Sequence, residues 1–371
     1  MTDRRGPWVV VGMGMGGKGL AAELGLAGYR LRVHDINEDE IRDIGLNGGI
    51  KVKGRKQDFA PVETATTELE TAVRGAEVVI VCTWGTQHAQ VARDLAPLLV
   101  DGQLILLIQG NAGGALLVRN ELALAGCRAQ VDVAEFDGYP YMMTVLAPDS
   151  VLLTTSKESL QMAALPATRN DAVMAMIGEA FPMAEAAPNI LHTAFSDLGA
   201  VLHVAPMVTN VGFVESDREY HHYTDGFTPS VIRLAVALDN ERIAVSRAYG
   251  IPAEPVDDWI FHTYSVREDS LYETIQRLAI THYKHCPRPR SLGYRFLSQD
   301  LSCASVTFAA LGDVVGVDTP ITDSVITMSS ALTGIDYWGI GRNLKNLGLN
   351  GLSAAEILAA VSGQDQKGEQ E

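Results

Sequence analysis

Trp8-Val9-Val10-Val11-Gly12-Met13-Gly14-Met15-Gly16-Gly17 decides how the first half of the chain is read. A tryptophan and three valines favour a short buried strand, and residues 18–26, rich in alanine and leucine, continue from the glycines with helical character. The order is strand, glycine turn, helix. Gly12, Gly14 and Gly17 satisfy GxGxxG, in which the first glycine permits a tight turn, the second lets a pyrophosphate approach the backbone, and the third lets helix pack closely on strand. Met15 and Gly16 complete the loop, where the first helical amides face a phosphate. Glycine-rich turns also occur for structural reasons alone. Here the place after a strand and before a helix predicts a dinucleotide site.

Residues 30–34 supply a second strand that ends at Asp35, roughly 20 residues beyond the loop. A carboxylate there accepts both hydroxyls of a ribose and repels a 2′-phosphate. The stretch from His34 to Glu40 is acidic and has no arginine before Arg42, so NAD(H) is favoured and NADP(H) is the second candidate. The bland alternative is that Asp35 only caps the polar helix expected at 37–43. Apolar runs at 77–83, 103–108 and 130–134, with a helical stretch at 85–99, extend a parallel sheet to about residue 185. The segment 181–188 carries two prolines and marks a crossing between domains. Beyond residue 190 the apolar spacing turns helical, as at 229–249 and 269–282. The expected architecture is an α/β Rossmann-type domain over 1–185 and an all-α domain over 186–371.

The 371-residue chain exceeds the roughly 250–300 residues at which single cores split, which agrees with two domains. A formal net charge of -16 opposes nucleic acid and anionic membranes as partners. No apolar run approaches the roughly 20 residues of a membrane-spanning helix. Two arginines leading straight into the glycine turn leave no room for a signal-peptide core, so export is not expected. Cys82, Cys127, Cys286 and Cys303 are scattered without a CxxC, as in a reduced, cytoplasmic protein. The polar tail 363–371 reads as disordered.

Two segments of the second half carry further information: Leu198-Gly-Ala-Val-Leu-His203-Val-Ala-Pro206-Met-Val-Thr-Asn210-Val-Gly212 and Gly293-Tyr-Arg295-Phe-Leu-Ser-Gln-Asp300. Both resemble signature segments of the opine (octopine/nopaline) dehydrogenases. Thr228-Pro229-Ser230, Asp239-Asn-Glu241-Arg242, Gly316 to Pro320, Gly341 to Gly348, Glu135 and the turn Asn111-Ala-Gly113-Gly114 fall in the family's order. The resemblance implies an NAD(P)H-dependent reductive condensation of an amino acid's amine with an α-keto acid through an imine. It makes His203 the acid/base, since histidine exchanges protons near neutrality, and Asp300 the partner that orients it. It also sets Arg295 against the cofactor pyrophosphate, and counts Asn111 and Tyr141 as substrate-binding. The first four have a plainer reading: a core histidine, a helix cap, an exposed helical arginine, a turn asparagine.

The chain departs from the family in places. Phe136 stands where many relatives have threonine, Tyr139-Pro140-Tyr141 replaces Leu-Pro-Tyr, and His203-Val-Ala-Pro206 replaces the commoner His-Pro. Substrate identity is therefore open. The histidines of Arg218-Glu-Tyr-His-His-Tyr223, and His282, His285 and Cys286, do not read as metal ligands, because adjacent residues point apart and catalytic zinc wants three convergent ligands. Two other readings stand beside the opine one: a dehydrogenase of a hydroxy acid or ketopantoate-like substrate, and a non-catalytic dinucleotide sensor. A homodimer is the base-rate expectation for the assembly.

Overall fold

The computed structural model describes residues 7–55, 57–284, 286 and 288–364. His285 and the tail beyond residue 364 lie outside the described residues. The chain divides into two compact units. One holds the chain up to Gly110, Gly114–Thr193 and the stretch from Ala360; the other holds Asn111–Gly113 and Ala194–Ala359. Relative to a division at 185/186, residues 186–193 group with the first unit. The reason is visible in the sheet, where Pro182 and Pro188 flank a strand, Ala184–Ala186, rather than a linker.

The first unit has two sheets. Its strands are β1 (Trp8–Val11), β2 (Leu31–His34), β3 (Gly49–Gly54), β4 (Asp58–Pro61), β5 (Thr64–Thr66), β6 (Val78–Val81), β7 (Leu104–Leu107), β8 (Asp132–Phe136), β9 (Tyr141–Ala147), β10 (Ser150–Ser156), β11 (Leu160–Leu165) and β12 (Ala184–Ala186). The larger sheet runs β12-β11-β8-β7-β6-β1-β2-β5, parallel except where β11 meets β8. Every residue of β1, β6 and β7 is buried, as expected of strands covered on both faces. From β1 the chain builds outward through β2 and β5 on one side and β6, β7 and β8 on the other. The strand order reverses beside β1, and open α/β sheets bind ligands at such a point.

The smaller sheet, β4-β3-β10-β9, has no counterpart in the sequence reading. Ile50-Lys51-Val52-Lys53 in β3 alternates apolar with charged residues as a strand covered on one face does, but over four residues only, while β9, Tyr-Met-Met-Thr-Val-Leu-Ala, is apolar at exposed as well as covered positions and shows no such alternation in sequence. This sheet packs on the helix Met15–Leu26. A Cβ at Gly19 of that helix would stand 2.6 Å from the Met143 side chain of β9, and one at Gly25 would stand 3.0 Å from Ala60 of β4. Small residues thus let one helix be buried from several sides, which is why it lacks a polar face.

The second unit is helical. Its longest helix, Pro229–Ala248, starts with proline at its first turn and with the Thr228 hydroxyl accepting the Val231 amide. Within it, buried Arg242 is paired with Asp239 at 2.7 Å and donates to the carbonyls of Phe195 and Glu254. Asp239 also accepts the Val256 amide at 2.8 Å. A buried ion pair is tolerable only when so fully bonded. The helix Arg295–Asp300 runs through a π turn, Leu301–Ser305, into Val306–Val315. The π turn leaves the Ser302 carbonyl to accept the Arg342 amide at 2.8 Å. Among the described residues no helix is long and apolar enough to cross a membrane.

Candidate active site

In the first unit, the loop after β1 is built by what its glycines lack. Gly12 takes φ +94°, closed to most side chains, and a Cβ there would stand 2.9 Å from the Thr83 methyl. A Cβ at Gly17 would collide with the Gly12 carbonyl oxygen, and one at Gly16 with the Tyr139 hydroxyl. A Cβ at Gly14 would meet nothing within 4 Å. The backbone is therefore open where a pyrophosphate would approach and closed where helix meets loop. Three large apolar side chains stand exposed just past the carboxyl ends of β1, β2 and β6: Met15 at 55%, Ile36 at 83% and Trp84 at 52%. Such exposure at strand ends suits the rings of a dinucleotide. Sequence reasoning passed over Ile36 and Trp84, although each directly follows a strand.

Asp35 accepts the Met13 amide at 2.6 Å with one oxygen and the Asn37 amide at 2.9 Å with the other. The following turn, Glu38–Glu40, is capped by Asn37 through the Asp39 amide at 3.1 Å. Each Asp35 oxygen keeps a lone pair for a ribose hydroxyl. The cations of this neighbourhood are already paired, Lys18 with Glu40 at 2.5 Å and Arg42 with Asp39 at 2.9 Å.

In the second unit, His203 follows the short helix Gly199–Leu202, its amide bonded to the Gly199 carbonyl at 3.0 Å. Its Nδ1 meets Asp300 Oδ2 at 2.5 Å, and its Nε2 meets the Tyr223 hydroxyl at 2.8 Å. The Phe296 ring stacks on the imidazole at 3.9 Å and 11°. One short helix thus supplies both the ring under the histidine and the carboxylate at its edge. Asp300 as a carboxylate only accepts, so Nδ1 carries the proton and Nε2 keeps its lone pair for the Tyr223 hydroxyl. The His203 side chain is 19% exposed and Asp300 3%. The carboxylate is sheltered and the ring is reachable.

A second carboxyl bears on this cluster. Asp197 accepts the Gly199 amide at 2.9 Å and is buried, and burial together with the charge of Asp300 pushes its carboxyl up to about 6. Gly199 is also where a Cβ would stand 2.7 Å from the Asp300 carboxyl carbon. His222 lies against Phe296 at 4.9 Å, and burial, then the charge of His203, holds its imidazole down to about 3. Neither Asp197 nor Tyr223 nor Phe296 was singled out from sequence. Tyr223 ends the Arg218–Tyr223 segment, whose two histidines drew attention only as metal ligands. In the fold they diverge, His221 to the Tyr283 carbonyl at 3.1 Å and His222 to Phe296. Among the described residues no three His, Cys, Asp or Glu are grouped to hold a metal.

Arg295 is half-buried at the start of the Phe296-bearing helix, its guanidinium 5.0 Å from that ring, with no ion pair among the described residues. Asn111, at φ 52°, is held in the second unit. Its carbonyl accepts the Arg342 guanidinium, and its amide nitrogen lies 3.5 Å from Asp197. Thr307 donates to the next carbonyl, that of Ala112, at 3.3 Å. These bonds explain why three residues from the sequence of the nucleotide-type domain group with the helical unit. Tyr141 sits in the core of the first unit, 7% exposed, its hydroxyl 3.5 Å from the Ala180 carbonyl.

Comparison with known proteins assigns both halves. Residues 186–333 match the family model "NAD/NADP octopine/nopaline dehydrogenase, alpha-helical domain", and residues 8–124 match that of ketopantoate reductase PanE/ApbA. An opine dehydrogenase of Arthrobacter sp. (strain 1C) is 32% identical over 95% of this chain and 98% of its own. Among solved structures, octopine dehydrogenase in complex with NADH and agmatine superposes with a TM-score of 0.77 at 20% identity, covering 98% of this chain and 99% of its own. Yersinopine dehydrogenase with NADP+ bound does so at 0.68 and 16% identity, over 96% and 98%.

Proposed function

This chain belongs to the opine dehydrogenase family, and on that premise we propose that it condenses the amine of an amino acid with an α-keto acid and reduces the resulting imine, or runs the reverse oxidation. It is an NAD(P)-dependent oxidoreductase acting on CH–NH. The observation that carries the finer reading is His203, one nitrogen held by a buried carboxylate and the ring partly open to solvent. In the condensing direction the amine attacks the keto carbon, water leaves to give the imine, and a secondary amine results after reduction. The cofactor, when bound, supplies the hydride for that reduction. His203, charged, gives the proton that lets oxygen depart as water; in the reverse direction its neutral ring takes a proton from the attacking water. Asp300 stabilises the charged ring and fixes its tautomer. Arg295, a half-buried cation without an ion pair among the described residues, is proposed to hold an anionic group, the pyrophosphate in the family reading. Asn111 is proposed to bind the keto-acid carboxylate.

The proposed cofactor-binding set is Gly12, Gly14, Met15, Gly16, Gly17 and Asp35. NADH is the proposed choice, because Asp35 stands with Glu38, Asp39 and Glu40 while Lys18 and Arg42 are neutralised. A 2′-phosphate would meet a net negative charge there, four carboxylates against two cations that are already paired. Among the described residues no disulfide joins the four cysteines, which supports a reducing cytoplasm as the location. A homodimer is the proposed assembly, tested by sedimentation. The test of function is NADH oxidation by the purified protein, offered a panel of amino acids with pyruvate, oxaloacetate and 2-oxoglutarate. A strict need for both substrates supports the opine reaction; oxidation with the keto acid alone moves the assignment to a hydroxy-acid dehydrogenase.

A further inference from the structure

We propose that Tyr223 is a positioning residue of the same site, whose hydroxyl holds Nε2 of His203 in the substrate-free protein and keeps the ring set until substrate takes that nitrogen over. The inference rests on reading His203 as the acid/base. Asp300, His203 and Tyr223 form one hydrogen-bonded line, 2.5 Å on the Nδ1 side and 2.8 Å on the Nε2 side. Phe296 closes one face of the ring, so the imidazole has a fixed plane and a fixed edge. An acid/base with both nitrogens engaged cannot swing.

The tyrosine is itself held. Its ring stacks on Tyr283 at 4.5 Å and on Phe227 at 5°, and its carbonyl accepts the Gln276 amide at 3.4 Å. Tyr223 is buried, whereas His203 is only partly so. Substrate arriving from solvent meets His203 first. Burial raises the phenol well above its ordinary range, which keeps it neutral. Among the described residues, His203 is the only hydrogen-bond partner of that hydroxyl. Burying a hydroxyl costs about 1–3 kcal/mol unless it is bonded, and a phenylalanine would fill the same space without that cost. The oxygen is thus accounted for by the histidine and by nothing else in the core. It serves both protonation states, donating to the neutral ring and, after rotating, accepting from the charged one.

The experiment is nitrogen NMR of protein labelled with 15N in histidine, as wild type, His203→Ala to assign the signals, and Tyr223→Phe, beside steady-state kinetics. In the wild type the neutral ring should carry its proton on Nδ1, with Nε2 in the position of a hydrogen-bonded acceptor. In Tyr223→Phe that resonance should move to an unbonded acceptor's, and kcat should fall about tenfold, the size of one hydrogen bond, with the KM values and NADH affinity unchanged. An Nε2 resonance that does not move in the variant, or a wild-type ring protonated on Nε2, overturns the proposal. The second of these needs no variant to fold. Full turnover by His203→Ala overturns the acid/base reading and the positioning role with it, even where the resonance shift stands, so the two failures are told apart.

Discussion

The glycine loop of the first unit and the histidine cluster of the second are built by opposite means. The loop depends on absent side chains: open space around Gly14, and contacts at Gly12, Gly16 and Gly17 too close for a Cβ. The cluster depends on side chains from three distant stretches, Asp197 to His203, Tyr223, and Phe296 to Asp300, meeting around one imidazole. Changes in the loop should therefore register in folding and cofactor affinity, and changes in the cluster in turnover.

The largest separation is expected from His203→Ala. Loss of a general acid/base costs roughly 10²–10⁴-fold, so kcat should fall by that range while NADH affinity, read by fluorescence titration, stays within about twofold. A parallel loss of NADH affinity would break the division. Next come two glycines of one loop. Gly17→Ala forces a Cβ into the Gly12 carbonyl and should lower unfolding stability by roughly 2–4 kcal/mol in denaturant titration. Gly14→Ala meets nothing within 4 Å; it should melt like the wild type and bind NADH about tenfold more weakly.

Within the cluster, Gly199→Ala brings a Cβ to 2.7 Å of the Asp300 carboxyl carbon. The carboxylate must shift from Nδ1, and kcat should drop about tenfold with little change in KM. The smallest effect concerns pH. Asp197, pushed up from 3.8 to about 6, binds its proton more tightly folded than unfolded, so native stability should fall as pH rises from 3.8 to 6 and stay reduced above it. Asp197→Asn removes that penalty. The variant should be more stable by on the order of 1 kcal/mol above pH 6, the two proteins converging near pH 4, as followed by thermal melts across pH.

Most of what fixes the first site could be read in the chain itself, because a strand, a glycine spacing and an acidic residue are local signals. The parallel strands β1, β6 and β7 announce themselves as apolar runs, Trp-Val-Val-Val, Val-Val-Ile-Val and Leu-Ile-Leu-Leu. The second sheet does not, since the alternation in β3 spans only Ile50 to Lys53 and β9 is apolar on its exposed positions as well as its covered ones. At the second site, His203, Asp300 and Arg295 came into view through a family resemblance rather than through spacing. Tyr223 lies 20 residues from His203 and 77 from Asp300, and no periodicity links them. The same holds for Asp197, which touches the cluster through the Gly199 amide.

The central claim is that the His203–Asp300 pair serves carbon–nitrogen chemistry, and the most direct test is the fate of the hydride. Protein given NADH deuterated at the transferring position, an amino acid and a keto acid, with products read by mass spectrometry, should yield a secondary-amine dicarboxylate carrying one deuterium, formed at least about a hundredfold more slowly by His203→Ala. A deuterated hydroxy acid in its place, or undiminished product from the variant, would contradict the account.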